Sequence, residues 1–277
     1  MKSGYFDPKT TKFLYTEYTD GHYLVVKKDN GIKFDADYPY IDESKKFLRS
    51  RAWTRFLLKT IVFPMTRVKM GLRIENRKNL KIFANELKNG AVSVSNHVHL
   101  WDYIAVMKAI SPVKPYVLSW AKNINGENGK MIRAVGGIPI PENDLSGTLA
   151  YLRAVYGMLD KGGWLHVDAE GSMWEYYAPV RPFKKGAATI ACKTGKPVLP
   201  LGFSYRKPSF IRKLFGGVAA ITLRVGQPVF ANESLPMRER IEDLTIRSHR
   251  AVCELSGIEP DKNIYPPIFD NNRRIDE

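Results

Sequence analysis

Residues 91–102 read Ala-Val-Ser-Val-Ser-Asn-His-Val-His-Leu-Trp-Asp and contain the passage from a strand into a helix. The apolar, β-branched opening predicts a short strand over 91–95, and the pattern that follows predicts a helix over 101–110. The turn between them carries four polar side chains, Asn96, His97, His99 and Asp102. Rigid elements on both sides of a turn hold its side chains in place, so this turn is the candidate site.

The polar side chains of this turn allow three interpretations. In the first, His97 is a general base and Asp102 orients its imidazole. A neutral imidazole with a pKa near ~6.5 accepts a proton from a hydroxyl that attacks a carbonyl, and the carboxylate stabilises the resulting imidazolium. In the second, His97 and His99 are a metal-binding pair; in the third, both form only local hydrogen bonds. The spacing alone does not choose among them.

The composition indicates a large folded domain with an anionic partner. The 277 residues carry a formal net charge of +15, and 44% of them are hydrophobic. The pI of about 9.7 favours nucleic acid, anionic lipid or a phosphorylated substrate. Cys192 and Cys253 are too few for a disulfide framework, and we expect both to be buried thiols. We expect no secretory signal. No apolar run reaches the ~18 residues that span a bilayer, so any membrane contact is expected at the surface.

Residues 1–43 are predicted to be an accessory segment without a chemical motif. Residues 23–26 and 32–34 resemble short strands around the turn 29–31, which reads Asp-Asn-Gly, a typical hairpin sequence.

A basic amphipathic region is predicted over 44–69. Its helix is expected to run over 44–63 and to end at Pro64, since proline lacks the N–H that a helix interior needs. Two strips recur at helical spacing, the apolar Trp53, Leu57 and Ile61 and the basic Arg51, Arg55 and Lys59. This pattern suits an anionic bilayer surface, and it equally describes a helix whose apolar side faces a core.

Residues 70–277 alternate strand patterns with helix patterns. Strands are predicted over 71–75, 91–95, 116–120, 164–169, 198–205 and 219–225, and helices over 101–110, 145–160, 186–194 and 236–256. This alternation predicts an α/β fold, a single domain with a largely parallel or mixed central sheet flanked by helices. In such sheets the functional residues gather at the strand ends.

Four stretches of this region occur in an informative order. They are Asn-His-Val-His-Leu-Trp-Asp at 96–102, Gly-Gly-Ile-Pro-Ile at 136–140, Ala-Glu-Gly-Ser at 169–172 and Lys-Pro-Val-Leu-Pro-Leu at 196–201. The first contains the His-x-x-x-x-Asp signature of the glycerolipid acyltransferases, and the others resemble the second, third and fourth blocks of that family. Over about residues 70–230 the chain resembles the PlsC-like 1-acylglycerol-3-phosphate acyltransferases.

The resemblance implies transfer of a fatty acyl group from acyl-CoA or acyl carrier protein to a hydroxyl of a lysolipid, in phospholipid biosynthesis. His97 and Asp102 would be the catalytic dyad, with no metal and no cofactor beyond the thioester co-substrate. Substrate-binding positions are expected in or near the blocks, at Asn96, Lys122, Gly137, Ile138, Glu170, Gly171 and Ser172. The implied location is cytoplasmic and peripheral, on the inner face of the cell membrane.

Two positions depart from the family pattern. An arginine usually follows the second block, but this chain continues with the acidic Pro-Glu-Asn-Asp of 141–144. The third block usually ends in arginine, where this chain has Met173. Both changes remove a potential bidentate phosphate contact. Arg181, Lys184 and Lys185 are the expected replacements, and a lysolipid with another head group is an alternative acceptor.

Other functional classes fit fewer of these residues. A non-catalytic protein at an anionic membrane surface explains the charge but not the ordered blocks. A metal-dependent hydrolase would need ligands beyond His97 and His99, and His166 and His249 fall inside a predicted strand and helix. A nucleic-acid partner is not expected, since the basic residues alternate with an apolar helix face and form no recognition motif.

Overall fold

The computed structural model describes residues 26–214 and 219–260, which fold around one seven-stranded sheet. The strands are β1 (Arg73–Glu75), β2 (Ala91–Ser95), β3 (Tyr116–Trp120), β4 (Gly137–Ile140), β5 (Trp164–Asp168), β6 (Val198–Arg206) and β7 (Ala220–Val225). Their order in space is β1-β7-β6-β2-β5-β3-β4. All neighbours are parallel except β6 and β7, which are antiparallel. The predicted mixed α/β sheet is confirmed.

Helices cover both faces of the sheet. In the described part of the chain they are α1 (Lys45–Leu57), α2 (Phe63–Lys69), α3 (Asn79–Ile82), α4 (Ala84–Leu87), α5 (Asp102–Ala109), α6 (Ala121–Asn125), α7 (Gly129–Val135), α8 (Leu145–Asp160), α9 (Gly186–Thr194), α10 (Phe210–Leu214) and α11 (Met237–Ser256). Apolar residues of α8, α9 and α11 pack on one face, and those of α5 pack on the other. The segment from α1 to α2 then packs on α5 as an outer layer.

The centre of the sheet brings two strand ends together. β2 and β5 pair in register from Ala91 opposite Trp164 to Ser95 opposite Asp168. Their starting points approach so closely that a Cβ on Gly90 would lie 2.2 Å from the carbonyl oxygen of Gly163. Gly90 also has a φ of +93°, a conformation that a side chain disfavours. The turn after β2 therefore lies beside the end of β5.

The helical segment near residue 60 does not end at Pro64, so that prediction was wrong. A π-helical segment, Leu58–Val62, joins α1 to α2, and Pro64 lies in the first turn of α2. Proline there removes one main-chain donor and excludes the carbonyl of the preceding turn. A π-helical turn is wider than an α-helical one, so it accommodates the proline without breaking the segment.

Two members of the basic strip, Arg51 and Arg55 of α1, face inward, against the prediction, whereas Lys59 is exposed. Arg51 is 7% exposed, and its guanidinium lies 3.6 Å from the ring centroid of Tyr116. Arg51 and Arg55 both donate to the carbonyl oxygen of Pro115 at 3.3 Å. Trp53 instead points outward and is 62% exposed. The Pro115 carbonyl and the Tyr116 ring, at the start of β3, give the two arginines a hydrogen-bond acceptor and a cation–π partner. Apolar side chains gain nothing from these polar partners, so they leave this position to the arginines.

Residues 26–43, the described part of the accessory segment, pack on the domain, and they do not contain the second strand of the predicted hairpin. Residues 32–34 are not in a strand, and most of the partner strand lies outside the described residues. Asn30 instead donates to the carbonyl oxygen of Asn125 at 2.8 Å. Tyr40 is 2% exposed in the main core, where its hydroxyl donates to the carbonyl oxygen of Phe34. Within the described residues, no helix is both long and apolar enough to cross a bilayer.

Candidate active site

One carboxylate oxygen organises the turn between β2 and α5. Oδ2 of Asp102 accepts hydrogen bonds from the backbone N–H of Val98 at 2.6 Å and of His99 at 2.8 Å. The same oxygen lies 3.0 Å from Nδ1 of His97. Asp102 is fully buried, at the start of α5, where a negative charge is favoured. Because the carboxylate only accepts, the His97 proton is held on Nδ1 and Nε2 is left for chemistry.

The imidazole of His97 also faces a second carboxylate. The side chain of His97 is 23% exposed, and its Nε2 lies 3.9 Å from Oδ2 of Asp168 at the end of β5. Burial by itself lowers the pKa of His97. The carboxylates of Asp168, Asp102 and Glu170 outweigh burial and raise that pKa to about 9.

Asp168 was not among the residues predicted from the sequence, although one signal for it was present. An acidic residue lies second from the end of the predicted strand 164–169, and parallel strands bring their carboxyl ends to one edge of the sheet. Oδ1 of Asp168 lies 3.2 Å from Nε2 of His166, and the hydroxyl of Ser95 donates to it at 3.2 Å. Burial raises the pKa of Asp168, but His97, His166 and the hydrogen bonds lower it to about 2.

Asn96 is a structural residue of the turn. Its side-chain nitrogen donates to the carbonyl oxygen of Phe203 at 3.1 Å, and its side-chain oxygen accepts from the Phe203 N–H at 2.8 Å. The side chain is fully buried. Its amide group continues the hydrogen bonding between β2 and β6 beyond the last paired residue of β2. The expected contact of Asn96 with substrate does not fit this geometry.

Glu170 and Arg181 form a buried ion pair beneath the turn. Nη2 of Arg181 lies 3.1 Å from Oε2 of Glu170, which also accepts from the His97 N–H at 3.2 Å. Nη1 of Arg181 donates to the hydroxyl of Ser172 at 2.9 Å, and Trp174 covers the guanidinium at 4.4 Å. Burial raises the pKa of Glu170 to about 7, against the opposing effect of Arg181 and two backbone donors. These contacts fix the turn that carries the imidazole.

This geometry corrects the expected substrate contacts at the third block. Glu170, Ser172 and Arg181 are each about 5% exposed or little more. Nη1 and Nη2 of Arg181 are engaged with Ser172 and Glu170, and burial of the side chain keeps a substrate phosphate from its guanidinium. The expectation that Arg181 binds phosphate in place of the absent family arginine does not fit this geometry.

His99 is turned away from His97. Its Nδ1 accepts a hydrogen bond from the Trp101 N–H at 3.0 Å, and its ring packs edge-on against Tyr176. Burial lowers the pKa of His99. Across residues 26–214 and 219–260, no three His, Cys, Asp or Glu side chains are grouped to hold a metal ion. The geometry therefore does not support the His97 and His99 metal pair.

The sequence matches the model of a known family over the turn and most of the sheet. The sequence profile described as Acyltransferase matches residues 55–204, more than half of the chain and all of β1 to β5. The chain belongs to the Acyltransferase family. It is therefore an acyltransferase, and the predicted resemblance is confirmed at this level. No curated protein matches the sequence significantly.

The fold of this acyltransferase is similar to that of a solved structure. The match is the crystal structure of PlsC, the 1-acyl-sn-glycerophosphate (LPA) acyltransferase from Thermotoga maritima, with a TM-score of 0.52. The two sequences are 20% identical, and the match covers 78% of this chain and 85% of that one. At this identity the likeness concerns the fold.

Two exposed lysines of the acyltransferase lie near the ends of the central strands. Lys184 is exposed; its stem passes Gly171, where an added Cβ would lie 3.4 Å from Cγ. Gly171 has a φ of +83°, which keeps the chain close to this stem. Lys122 follows β3, with its Nζ 5.0 Å from the ring centroid of Trp120. Both lysines lie at the carboxyl edge of the sheet, Lys122 just after β3 and Lys184 beside Gly171.

The second-block residues of the acyltransferase belong to the sheet. Ile138 is fully buried in the core. A Cβ at Gly137 would lie 2.5 Å from Cγ2 of Ile132, and the Gly137 carbonyl accepts from Arg133 at 2.9 Å. The expected substrate contacts of Gly137 and Ile138 do not fit these positions. The acidic segment 141–144, which departs from the family pattern, contacts β3, because Nε1 of Trp120 donates a hydrogen bond to Glu142 at 2.5 Å.

Proposed function

We propose that this acyltransferase moves a fatty acyl group from a thioester to a hydroxyl of a lysolipid, in phospholipid biosynthesis. The observation that carries the proposal is the bond between Nδ1 of His97 and the buried Asp102, which leaves a partly exposed Nε2. Such a dyad is a general base for an alcohol, since the carboxylate holds the tautomer and stabilises the imidazolium.

The reaction needs no acyl-enzyme. Nε2 of His97 takes the proton of the acceptor hydroxyl while its oxygen bonds to the thioester carbonyl carbon. The tetrahedral intermediate then collapses, the carbon–sulfur bond breaks, and the imidazolium returns its proton to the leaving thiolate. Acyl-CoA and acyl carrier protein are the proposed donors, since both carry the acyl group as a thioester.

The proposed acceptor is lysophosphatidic acid or a related lysolipid. Lys184 and Lys122 are the proposed contacts for its phosphate, since both are exposed at the carboxyl edge of the sheet. Lysines bind phosphate as point charges, less selectively than an arginine fork. Because Arg181 is engaged internally, we expect weaker discrimination between phosphate monoesters and diesters than an arginine pair would give.

The proposed location is peripheral, on the inner face of the cell membrane. Exposed apolar side chains follow one line along α1 and α2, at Trp53, Phe56, Ile61, Met65 and Val68. Their steps of three, five, four and three residues fit one helix face, because the five-residue step crosses the wider π-helical turn. The net charge of +15 favours an anionic surface.

The test measures thiol release and acylated product with acyl-CoA and with acyl carrier protein against a panel of lysolipids in anionic vesicles. His97→Ala is the matched variant, and it is expected to lose ~10²–10⁴ in rate while keeping its unfolding temperature. Transfer that is equal in wild type and His97→Ala would contradict the dyad. A folded wild type that transfers to no hydroxyl on the panel would contradict the lysolipid acceptor.

A further inference from the structure

A carboxylate faces the reacting nitrogen of His97 and has no part in the dyad. Oδ2 of Asp168 lies 3.9 Å from Nε2, across the ring from Asp102. This is an ion-pair distance and exceeds a hydrogen bond, so a hydroxyl oxygen can approach Nε2 from the same side. The side chain of Asp168 is 16% exposed, which places it at the open end of the site.

The other oxygen of Asp168 is fixed by a buried polar network. Nδ1 of His166 lies 3.0 Å from the hydroxyl of Ser93, and its Nε2 lies 3.2 Å from Oδ1 of Asp168. Ser95 donates to the same oxygen at 3.2 Å. Ser93, Ser95 and His166 are fully buried on one face of β2 and β5. Burying polar groups costs free energy unless each of them forms a hydrogen bond. The hydrogen bonds of this network therefore hold the carboxylate in one orientation.

The network is not a second nucleophilic site. Ser93, His166 and Asp168 form a Ser-His-Asp series, but the carboxylate end of the series is the one that is open. No substrate reaches the buried Ser93 hydroxyl. The ring of Tyr103 closes the remaining side of His166 at 6.1 Å between centroids. The network therefore places one carboxylate oxygen, Oδ2 of Asp168, toward the imidazole of His97.

We propose that Asp168 is a positioning residue for the reaction, whose Oδ2 forms an ion pair with His97 on the Nε2 side whenever the imidazole is doubly protonated. The inference rests on the proposed function, because it takes His97 as the base. Asp168 stabilises the imidazolium that forms when the acceptor gives up its proton. It also retains that proton in the free enzyme, so it sets the pH above which His97 is ready to act as a base.

Charged groups reach His97 from each described element around it. Asp102 faces Nδ1 from α5, Asp168 faces Nε2 from β5, and Glu170 lies below the turn. His99 follows in the same turn, and burial lowers its pKa, so it is uncharged where His97 titrates. Among the residues that the structure describes, only Asp168 adds negative charge at the nitrogen that exchanges the proton. The high pKa of His97 agrees with this arrangement.

The test compares wild type with Asp168→Asn, which keeps the shape and removes the charge. The acid limb of kcat/KM against pH is expected to move down by about 1–3 pH units, as is usual when an opposite charge at this range is lost. Asp160→Asn, an exposed site at the end of α8, controls for net charge and is expected to leave the limb unchanged. Asp168→Ser is the second variant if the asparagine form does not fold.

The titration of His97 by NMR gives a readout that does not depend on turnover, with its signal assigned by its loss in His97→Ala. The same downward shift is expected in Asp168→Asn. An unchanged limb and an unchanged titration would overturn the role of Asp168, even where acyl transfer is found. If no acceptor is turned over, the proposed function fails, and the titration still decides whether Asp168 holds the imidazolium.

Discussion

Asp102 has two separable tasks, and a pair of substitutions distinguishes them. Asp102→Asn can place its carbonyl oxygen where Oδ2 now accepts from His97, Val98 and His99. Its amide nitrogen then occupies the position of Oδ1, which is buried and has no hydrogen-bond partner among the described residues. The turn therefore survives, but the charge beside His97 is lost.

The structure gives the size of that loss. At the observed 3.0 Å, a unit charge pair in an effective dielectric of 20 interacts by about 5.5 kcal/mol, an upper bound for the lost imidazolium stabilisation. Since 1.36 kcal/mol changes a rate tenfold, we expect kcat to fall by ~10²–10⁴. The assay is thiol release from the acyl donor with the acceptor present. Asp102→Asn activity within tenfold of wild type would refute the orienting charge.

Asp102→Ala tests the structural task. It leaves the N–H groups of Val98 and His99 without an acceptor, at about 1–3 kcal/mol each. The resulting loss of about 2–6 kcal/mol is a large part of the ~5–15 kcal/mol that stabilises a typical domain. We expect denaturant unfolding to show this loss for alanine and little of it for asparagine. Equal stabilities of the two variants would mean that Asp102 does not hold the turn.

Three further outcomes are expected. Arg181→Met should lower the free energy of unfolding by about 3–5 kcal/mol because it leaves the buried Glu170 unpaired, and adding Glu170→Gln should restore part of it; an unrestored double variant would contradict the ion pair. Trp53→Ser with Phe56→Ser should weaken binding to anionic vesicles in a flotation assay at unchanged stability, whereas retained binding would place the membrane contact elsewhere. Lys184→Gln should raise KM for a phosphate-bearing lysolipid more than it lowers kcat, and an unchanged KM would remove Lys184 from the phosphate contact.

The sequence predicted most of the sheet because its strands are continuous apolar runs between turns. The strand 91–95, the helix 145–160 and the helix 186–194 agree with the structure to the residue. Buried Cys192 and Cys253 were also predicted. His97 and Asp102 are five residues apart in one turn, so their contact is local. Their assignment as a dyad followed from the resemblance to the family blocks.

The predictions failed where contacts between residues distant in sequence determine the structure. The inward direction of Arg51 depends on the Pro115 carbonyl and the Tyr116 ring, which are distant in sequence. A proline usually ends a helix, but the π-helical turn before Pro64 removes the steric clash with the preceding turn. Asp168 was missed because its relation to His97 comes from strand pairing, which no local pattern encodes. Residues quoted from family blocks were taken as substrate contacts when several, such as Asn96, pack the scaffold.

The equal lengths of β2 and β5 determine where the residues at their ends lie in the active site. Both strands start from touching glycines, Gly90 and Gly163, and both end five residues later, at Ser95 and Asp168. Side chains alternate along a strand, so one residue added or removed in β5 would turn its terminal carboxylate to the opposite sheet face. Spacing from the glycines is thus a stricter requirement than most side-chain identities, and redesign of this site can vary residues more freely than it can vary length.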